Sequence, residues 1–335
     1  MGSQPTVAVS VIVPAYNAAQ TLPNCIGALL NQTFDRAAYE LIIVDDGSAD
    51  ETAQAADRPG VHLIRQVHAG PAAARNTGIK RARGDLLLFT DADCEPARDW
   101  IEAMVQPFAD PRVMGCKGVY RTRQRGLLPR FVQVEYEEKY RPMMGMDSID
   151  FIDTYSAGYR RSVFENAGLF AEDILAAEDA EFSFRLAQRG YRLVFNPQGV
   201  VYHTHAENLM HYLRRKFRFG KWRARVYLRY PQKIGGDSHT PKNLRWQMLL
   251  VAVTLLGLPL AAFWPWAVWL PMAATAAFLL TTIPFLIEVR RHDLAVVFIA
   301  PVMLWLRALS LGLGLSYGLT MAIFRIERGI ADCGL

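Results

Sequence analysis

The sequence predicts an α/β protein with a mostly parallel sheet, followed by a basic segment and a C-terminal helical membrane domain. Three observations carry this. Short apolar runs alternate with helix-patterned stretches through the first 93 residues, the pattern of successive βαβ units. Residues 209–230 hold eight Lys or Arg and no acid. Beyond residue 246 the chain turns mostly apolar, which lifts the hydrophobic share of its 335 residues to 51%. The expected division is a catalytic domain over 1–205, a basic interfacial segment over 206–246 and a membrane domain over 247–335.

The elements follow in order. Val7–Val13 is a first strand, closed by Pro14. Thr21–Leu30 carries apolar Leu22, Ile26, Leu29 and Leu30 at helical spacing, with Thr21 as its cap and Pro23 tolerated in the first turn. Glu40–Val44 is a second strand ending in Asp45-Asp46-Gly47-Ser48. Asp50–Ala56 is a short helix, Val61–Arg65 a third strand and Gly70–Ala82 an alanine-rich helix. Leu86–Phe89 is a fourth strand that runs into Asp91-Ala92-Asp93. In open α/β sheets ligands bind beyond the carboxyl ends of the strands, and there Pro14–Asn17, Asp45–Ser48 and Asp91–Asp93 converge. Two carboxylates one residue apart repel each other unless a cation lies between them, and a hard divalent ion carrying phosphate oxygens suits that place. Helix-capping aspartates in a solvated loop are the plainer reading of the tripeptide alone.

Further on, Glu178-Asp179 opens a helix that Gly190 ends. Acids at a helix start also suit the helix dipole. Arg192–Tyr202 is strand-like and leads to His203 and His205.

VSVIVPAYNA (9–18), ELIIVDDGSAD (40–50), GPAAARNTGI (70–79), LLLFTDAD (86–93) and EDAEFSFRLAQRGYRL (178–193), in that order, resemble the glycosyltransferases of family 2 with the GT-A fold. The resemblance spans about residues 7–205 and extends to bacterial membrane-anchored members that build exopolysaccharide or glycolipid. It implies an inverting, metal-dependent sugar transfer from a nucleotide diphosphate sugar, UDP-sugars foremost. By that likeness Asp46 meets the base, where its other reading is an Asx-turn with Gly47. Tyr16 offers a ring for stacking or belongs to the core, and Pro14 lines the base pocket. Arg75 serves the diphosphate or holds Asp45 and Asp91; the sequence leaves both open. Asp91 lies near the ribose and Asp93 binds Mg²⁺ or Mn²⁺, with Asp91 and His203 completing the metal shell. Asp179 is the general base that takes the proton of the acceptor hydroxyl, and Glu178 orients the site. Thr154–Arg161 (TYSAGYRR) corresponds to an acceptor-side loop, in an altered order.

The basic stretch interleaves Tyr212, Phe217, Phe219, Trp222, Tyr227 and Tyr230 with its cations. An interfacial helix on an anionic membrane is the expectation, compatible with a lid over the phosphates. A nucleic-acid site is the third reading, disfavoured by the apolar tail downstream. The Gln-x-x-Arg-Trp motif of processive polymerases is missing. Helices are expected at about 247–263 and 266–287, each near the ~20 residues that cross a bilayer, and at 294–324, a stretch broken near Arg307 that is too long for one untilted span and short for two. That arginine either binds a lipid phosphate or snorkels. With the catalytic domain on the cytoplasmic face of an inner membrane, the first hairpin returns Arg290 and Arg291 to that face, as the positive-inside rule asks, and a re-entrant hairpin or two interfacial helices over 294–324 would bring Arg325 and Arg328 there as well. Met1–Thr6 is short and polar, so no secretory signal is expected. Cys25, Cys94, Cys116 and Cys333 lack metal spacing and read as reduced thiols. The partners expected are the sugar nucleotide and a lipid or lipid-linked saccharide. Addition of single sugars to a growing polysaccharide is the alternative. A nucleotidyltransferase would want a Gly-rich triphosphate loop, and a catalytically dead scaffold would not keep the acids.

Overall fold

The computed structural model describes residues 7–324, apart from Leu175 and His292. Arg325, Arg328 and Cys333 therefore lie outside the described residues. The chain divides into two compact units. Of the described residues, the first holds those up to Arg123 together with Tyr140–Thr204, the second Gln124–Lys139 together with those from His205 to Phe324.

The first unit is built on one eight-stranded sheet. In chain order its strands are β1 (Val9–Ala15), β2 (Tyr39–Asp45), β3 (Val61–Arg65), β4 (Leu86–Thr90), β5 (Cys94–Pro96), β6 (Val113–Arg121), β7 (Ser156–Arg160) and β8 (Arg192–His203). Their order across the sheet is β3-β2-β1-β4-β7-β6-β8-β5. β3, β2, β1 and β4 are parallel. β7 runs antiparallel to both β4 and β6, while β6 and β8 are parallel. Burial on both faces explains the apolar runs of β1, β2 and β4. Pro14 does not close β1 but lies within it. β4 stops pairing at Ile12, so the missing N–H falls where β1 has a partner on one side only.

Helices α1 (Leu22–Leu30), α2 (Thr52–Ala56), α3 (Pro71–Arg81), α4 (Trp100–Val105), α6 (Arg161–Ala167) and α7 (Glu178–Gln188) belong to this unit. Thr21 precedes α1 without a side-chain capping bond; its hydroxyl donates to the Ala18 carbonyl at 3.4 Å instead. α3 lies close on the sheet because Gly78 has no side chain: a Cβ there would come within 2.4 Å of Ile12 Cγ2. α7 is seated by an aromatic cluster in which Phe182 stacks on Phe164 at 5.1 Å and meets Tyr159 edge-on at 5.4 Å. Such pairs contribute about 0.5–1.5 kcal/mol each beyond burial.

Helix α5 (Leu127–Met143) begins in the second unit. That unit continues with α8 (Leu209–Arg229), α9 (Leu244–Phe263), α10 (Trp269–Arg290) and α11 (Leu294–Ile323). Asn208 caps α8 by accepting from Met210 and His211 N–H. Segments 244–263, 265–290 and 294–323 are long and apolar enough to cross a membrane, with mean hydropathies of 1.9, 1.9 and 2.1. They leave large apolar side chains uncovered, among them Leu256, Phe263 and Phe298. Exposed apolar surface of this extent marks an interaction face, and three such helices suggest membrane association. α11 is one continuous helix through Pro301 and Arg307, not the broken one expected.

Candidate active site

The acidic pair sits where β4 ends. Asp91 and Asp93 follow Thr90, and the chain doubles back at once as β5, which pairs antiparallel with β8 so that Cys94 stands opposite His203. This pairing brings His203 to Asp93, Nδ1 to Oδ2 at 3.5 Å. The imidazole is buried against Tyr120, rings 4.7 Å apart, and Tyr120 stacks on Tyr155 at 3.5 Å. Asp93 keeps half of its side chain exposed (50%). Burial, reinforced by Asp93 and Asp91, pushes the Cys94 thiol well up, so it holds its proton. A carboxylate oxygen and an imidazole nitrogen in this position form a donor set that Mn²⁺ or Mg²⁺ accepts.

Arg75 links that pair to the second acidic pair. Held on α3, its buried guanidinium donates from Nη2 to Asp91 Oδ1 at 2.8 Å and from Nη1 to Glu178 Oε1 at 2.6 Å. Asp179 adds to the field that stabilises this cation. Asp45, by contrast, faces Arg65 at 3.7 Å and accepts from Ser48 N–H at 3.1 Å. Burial, with Asp179 beside it, pushes Glu178 up to about 7 against the pull of Arg75. Glu178, Asp179 and Glu181 crowd the first turn of α7, as the helix dipole favours. The neighbouring Asn76 staples the loop before α7, donating to Phe170 O and Glu172 Oε1 and accepting from Phe170 N–H. Asp91, Glu178 and Asp179 surround Arg75 and Asp93 follows beside His203, so the acids outnumber the one arginine and the residues present fit a divalent cation.

At the carboxyl ends of β1 and β2 the loops are knitted together: Asn17 N–H donates to Ser48 Oγ and Ala49 N–H to Asn17 Oδ1. Tyr16 is 41% exposed, and His68 stacks on it with centroids 4.1 Å apart. Asp46 is buried. Its carboxylate accepts from Gln66 Nε2 at 2.6 Å and from the N–H groups of Ala69 and Gly70 at 3.0 and 2.8 Å, with His68 Nδ1 at 2.9 Å. Asp46 thus ties the segment Gln66–Gly70 to the end of β2, and direct contact with a base requires one of these bonds to open. Sequence reasoning passed over Gln66 and His68. The available signal was their position, polar residues between β3 and α3 at the edge where the other loops converge.

TYSAGYRR is not a loop. Ser156–Arg160 is β7, a central strand, and its arginines brace backbone: Arg160 donates to the carbonyls of Val113, Phe108 and Asp110, and Arg161 to that of Gly84. His205 lies in the second unit, where Nε2 is 3.1 Å from Gln133 Oε1.

Residues 10–168 match the family model described as glycosyl transferase family 2. A glycosyltransferase of Haloferax volcanii, AglE, is 30% identical over 230 residues, covering 66% of this chain and 74% of that protein. The pre-mycofactocin glycosyltransferase of Mycobacterium tuberculosis is 28% identical over 236 residues; the match takes in 67% of this chain but only 48% of that protein. Among solved structures, the mannosyltransferase PcManGT of Pyrobaculum calidifontis, determined with GDP-mannose and Mn²⁺, superposes over 93% of this chain and 86% of its own with a TM-score of 0.62. At 22% identity that likeness shows the GT-A-like fold. Family model, relative and fold agree: the chain is a glycosyltransferase and belongs to glycosyl transferase family 2.

Proposed function

We propose that the enzyme transfers a sugar, with inversion, from a nucleotide diphosphate sugar to a lipid or lipid-linked saccharide at a membrane face. The observation that carries this reading is Arg75. One guanidinium bonded to both Asp91 and Glu178 makes the acidic pair after β4 and the pair opening α7 two sides of one site. The Tyr16–His68 aromatic pair and Pro14 line the base site, whose rim Asp46 sets by carrying Gln66–Gly70. Asp91, Asp93 and His203 hold Mg²⁺ or Mn²⁺, which when bound takes up charge on the departing diphosphate.

Asp179 stands beside Glu178 as the base. It receives the acceptor hydroxyl proton while that oxygen attacks the anomeric carbon and the bond to the diphosphate breaks. A single displacement without an enzyme nucleophile inverts the centre. Glu178 and Arg75 fix the orientation of that turn of α7. The three apolar helices support a membrane location, which favours a lipid-borne acceptor. Catalysis at the cytoplasmic face of an inner membrane belongs to the same proposal.

The test is sugar transfer by Asp179→Asn in membranes supplied with labelled nucleotide sugars. Loss of a general base costs about 10²–10⁴-fold in turnover, and donor KM stays near that of the parent. Undiminished transfer overturns the assignment of the base. Lipid extracts from a deletion strain identify the acceptor.

A further inference from the structure

The cation site contains a third donor atom besides carboxylate and imidazole. Cys94 opens β5 directly after Asp93 and pairs with His203 across β8. Its Sγ lies 3.6 Å from Asp93 Oδ1, while His203 Nδ1 lies 3.5 Å from Asp93 Oδ2. One ligand atom from each of the three residues falls within 4.8 Å of the others. Metal–ligand bonds of about 2.0–2.3 Å in a tetrahedron give donor–donor edges of roughly 3.4–3.7 Å. Each separation has about the length of such an edge, but the two run to different oxygens of the Asp93 carboxylate, so a single oxygen serves both only once that carboxylate turns. Cys94 and His203 are buried, and the group reaches solvent through Asp93.

Hard cations of the Mg²⁺ type take oxygen donors. Thiolate sulfur selects softer ions, and Zn²⁺ and Co²⁺ exceed Mn²⁺ in intrinsic affinity for mixed donor sets. We propose that Asp93, Cys94 and His203 form an oxygen–sulfur–nitrogen site that binds Zn²⁺ or Co²⁺ through the Cys94 sulfur, in competition with the catalytic Mn²⁺ or Mg²⁺. On binding, the Cys94 S–H bond breaks, a sulfur–metal bond forms and the proton leaves to solvent. The fourth position stays open to water or a phosphate oxygen. A site so occupied holds the wrong ion, so Zn²⁺ inhibits transfer and a chelator followed by Mn²⁺ restores it. This inference rests on the reading that Asp93 and His203 hold the catalytic cation.

The test uses the full chain, purified metal-free in detergent and titrated with Co²⁺. A thiolate-to-cobalt charge-transfer band is expected in the near ultraviolet. It persists in Cys25→Ser, Cys116→Ser and Cys333→Ser and is lost in Cys94→Ser and Cys94→Ala. X-ray absorption at the cobalt edge of the unmodified protein reads the shell with no variant at all, and sulfur at about 2.3 Å is expected. Mn²⁺ binding, followed by paramagnetic resonance, survives Cys94→Ser, and Zn²⁺ displaces that Mn²⁺ at concentrations roughly tenfold or more above those needed for the parent. A cobalt shell of oxygen and nitrogen alone, or a band that outlasts loss of Cys94, overturns the sulfur donor. Mn²⁺ binding undiminished in Asp93→Asn overturns the underlying cation reading instead.

Discussion

Arg75 carries more of the chemistry than its position inside an alanine-rich helix suggests. Its two terminal nitrogens hold carboxylates from opposite sides of the site, and a planar fork does this where an ammonium cannot. Arg75→Lys keeps the charge but releases Asp91 or Glu178. A misplacement of about 1 Å costs ~10²-fold, so a fall of that order in turnover is expected, read by initial rates with donor saturating. Glu178 supplies a pH signature. Its carboxyl moves from an ordinary value of 4.5 up to about 7, and the side chain is almost fully buried. Between those values the folded chain binds a proton that the unfolded chain does not. The contribution of Glu178 to stability is therefore fully present below 4.5 and is lost as pH rises through about 7, by an order of a few kcal/mol. Glu178→Gln retains an oxygen for Arg75 and removes the titration. Its melting temperature plotted against pH should be flatter than the parent's across that window, and equal slopes would assign the pH dependence elsewhere.

The contacts of the basic stretch extend what its sequence alone gives. α8 spends its aromatics on its own cations: Arg215 lies over Phe219, Lys216 over Tyr212, Arg223 over Tyr227 and Arg225 over Trp222. Its opposite side packs backbone to backbone on α11. A Cβ at Gly220 would meet Leu311 O at 2.3 Å, and one at Gly314 would meet Phe217 O at 2.1 Å. Small residues four apart, Gly220 with Ala224 and Gly314 with Gly318, permit that approach. Gly314→Ala must force the helices apart, at a cost of about 1–3 kcal/mol. Gly312→Ala meets only Met248 at an ordinary 3.8 Å and gains about 0.5–1 kcal/mol from helix propensity. Unfolding midpoints of the two variants in one detergent should move in opposite directions. An equal shift of the same sign would refute the close packing. Elements of the parallel half were legible because apolar runs and Gly or Pro punctuation agree there. β6, β7 and α5 were not. β7 is five residues ending on Arg160, which braces backbone, and α5 opens on apolar residues but continues with Glu135, Glu137, Glu138 and Lys139, a pattern that has meaning only once its partners are known.

At the scale of the whole chain, the acids that Arg75 joins were legible from motifs, because they stand at a strand end and a helix start that the sequence pattern marks. The bond network of the helical unit was not, because it joins residues up to 172 positions apart. Arg307, read from sequence as a phosphate ligand or a snorkelling cation, is buried and bonded to side chains of neighbouring helices. Nη1 meets Glu135 Oε1 at 3.2 Å, and Nη2 donates to Gln247 Oε1 at 2.9 Å. Glu135 also accepts from the Tyr212 hydroxyl at 3.0 Å and pairs with Lys216 at 3.0 Å, while Gln247 Nε2 reaches Thr281. One chain of polar contacts therefore runs through α5, α8, α9, α10 and α11. Burial alone would raise Glu135, but Lys216 and then Arg307 outweigh it and keep the carboxyl below its ordinary value, hence charged. Removing one partner of such a pair strands the other charge and costs about 3–5 kcal/mol, whereas replacing both by apolar residues is often tolerated. Arg307→Met and Glu135→Leu should each lower the unfolding free energy in mixed micelles by about that amount. The double variant should lose less than the sum, with a coupling of about 0.5–3 kcal/mol. Activity separates a strut from a ligand. If Arg307 only braces the helices, the double variant, once folded, transfers sugar to the membrane acceptor at the parent's rate. A double variant that is stable yet fails on the lipid acceptor while still hydrolysing the donor would return Arg307 to the acceptor.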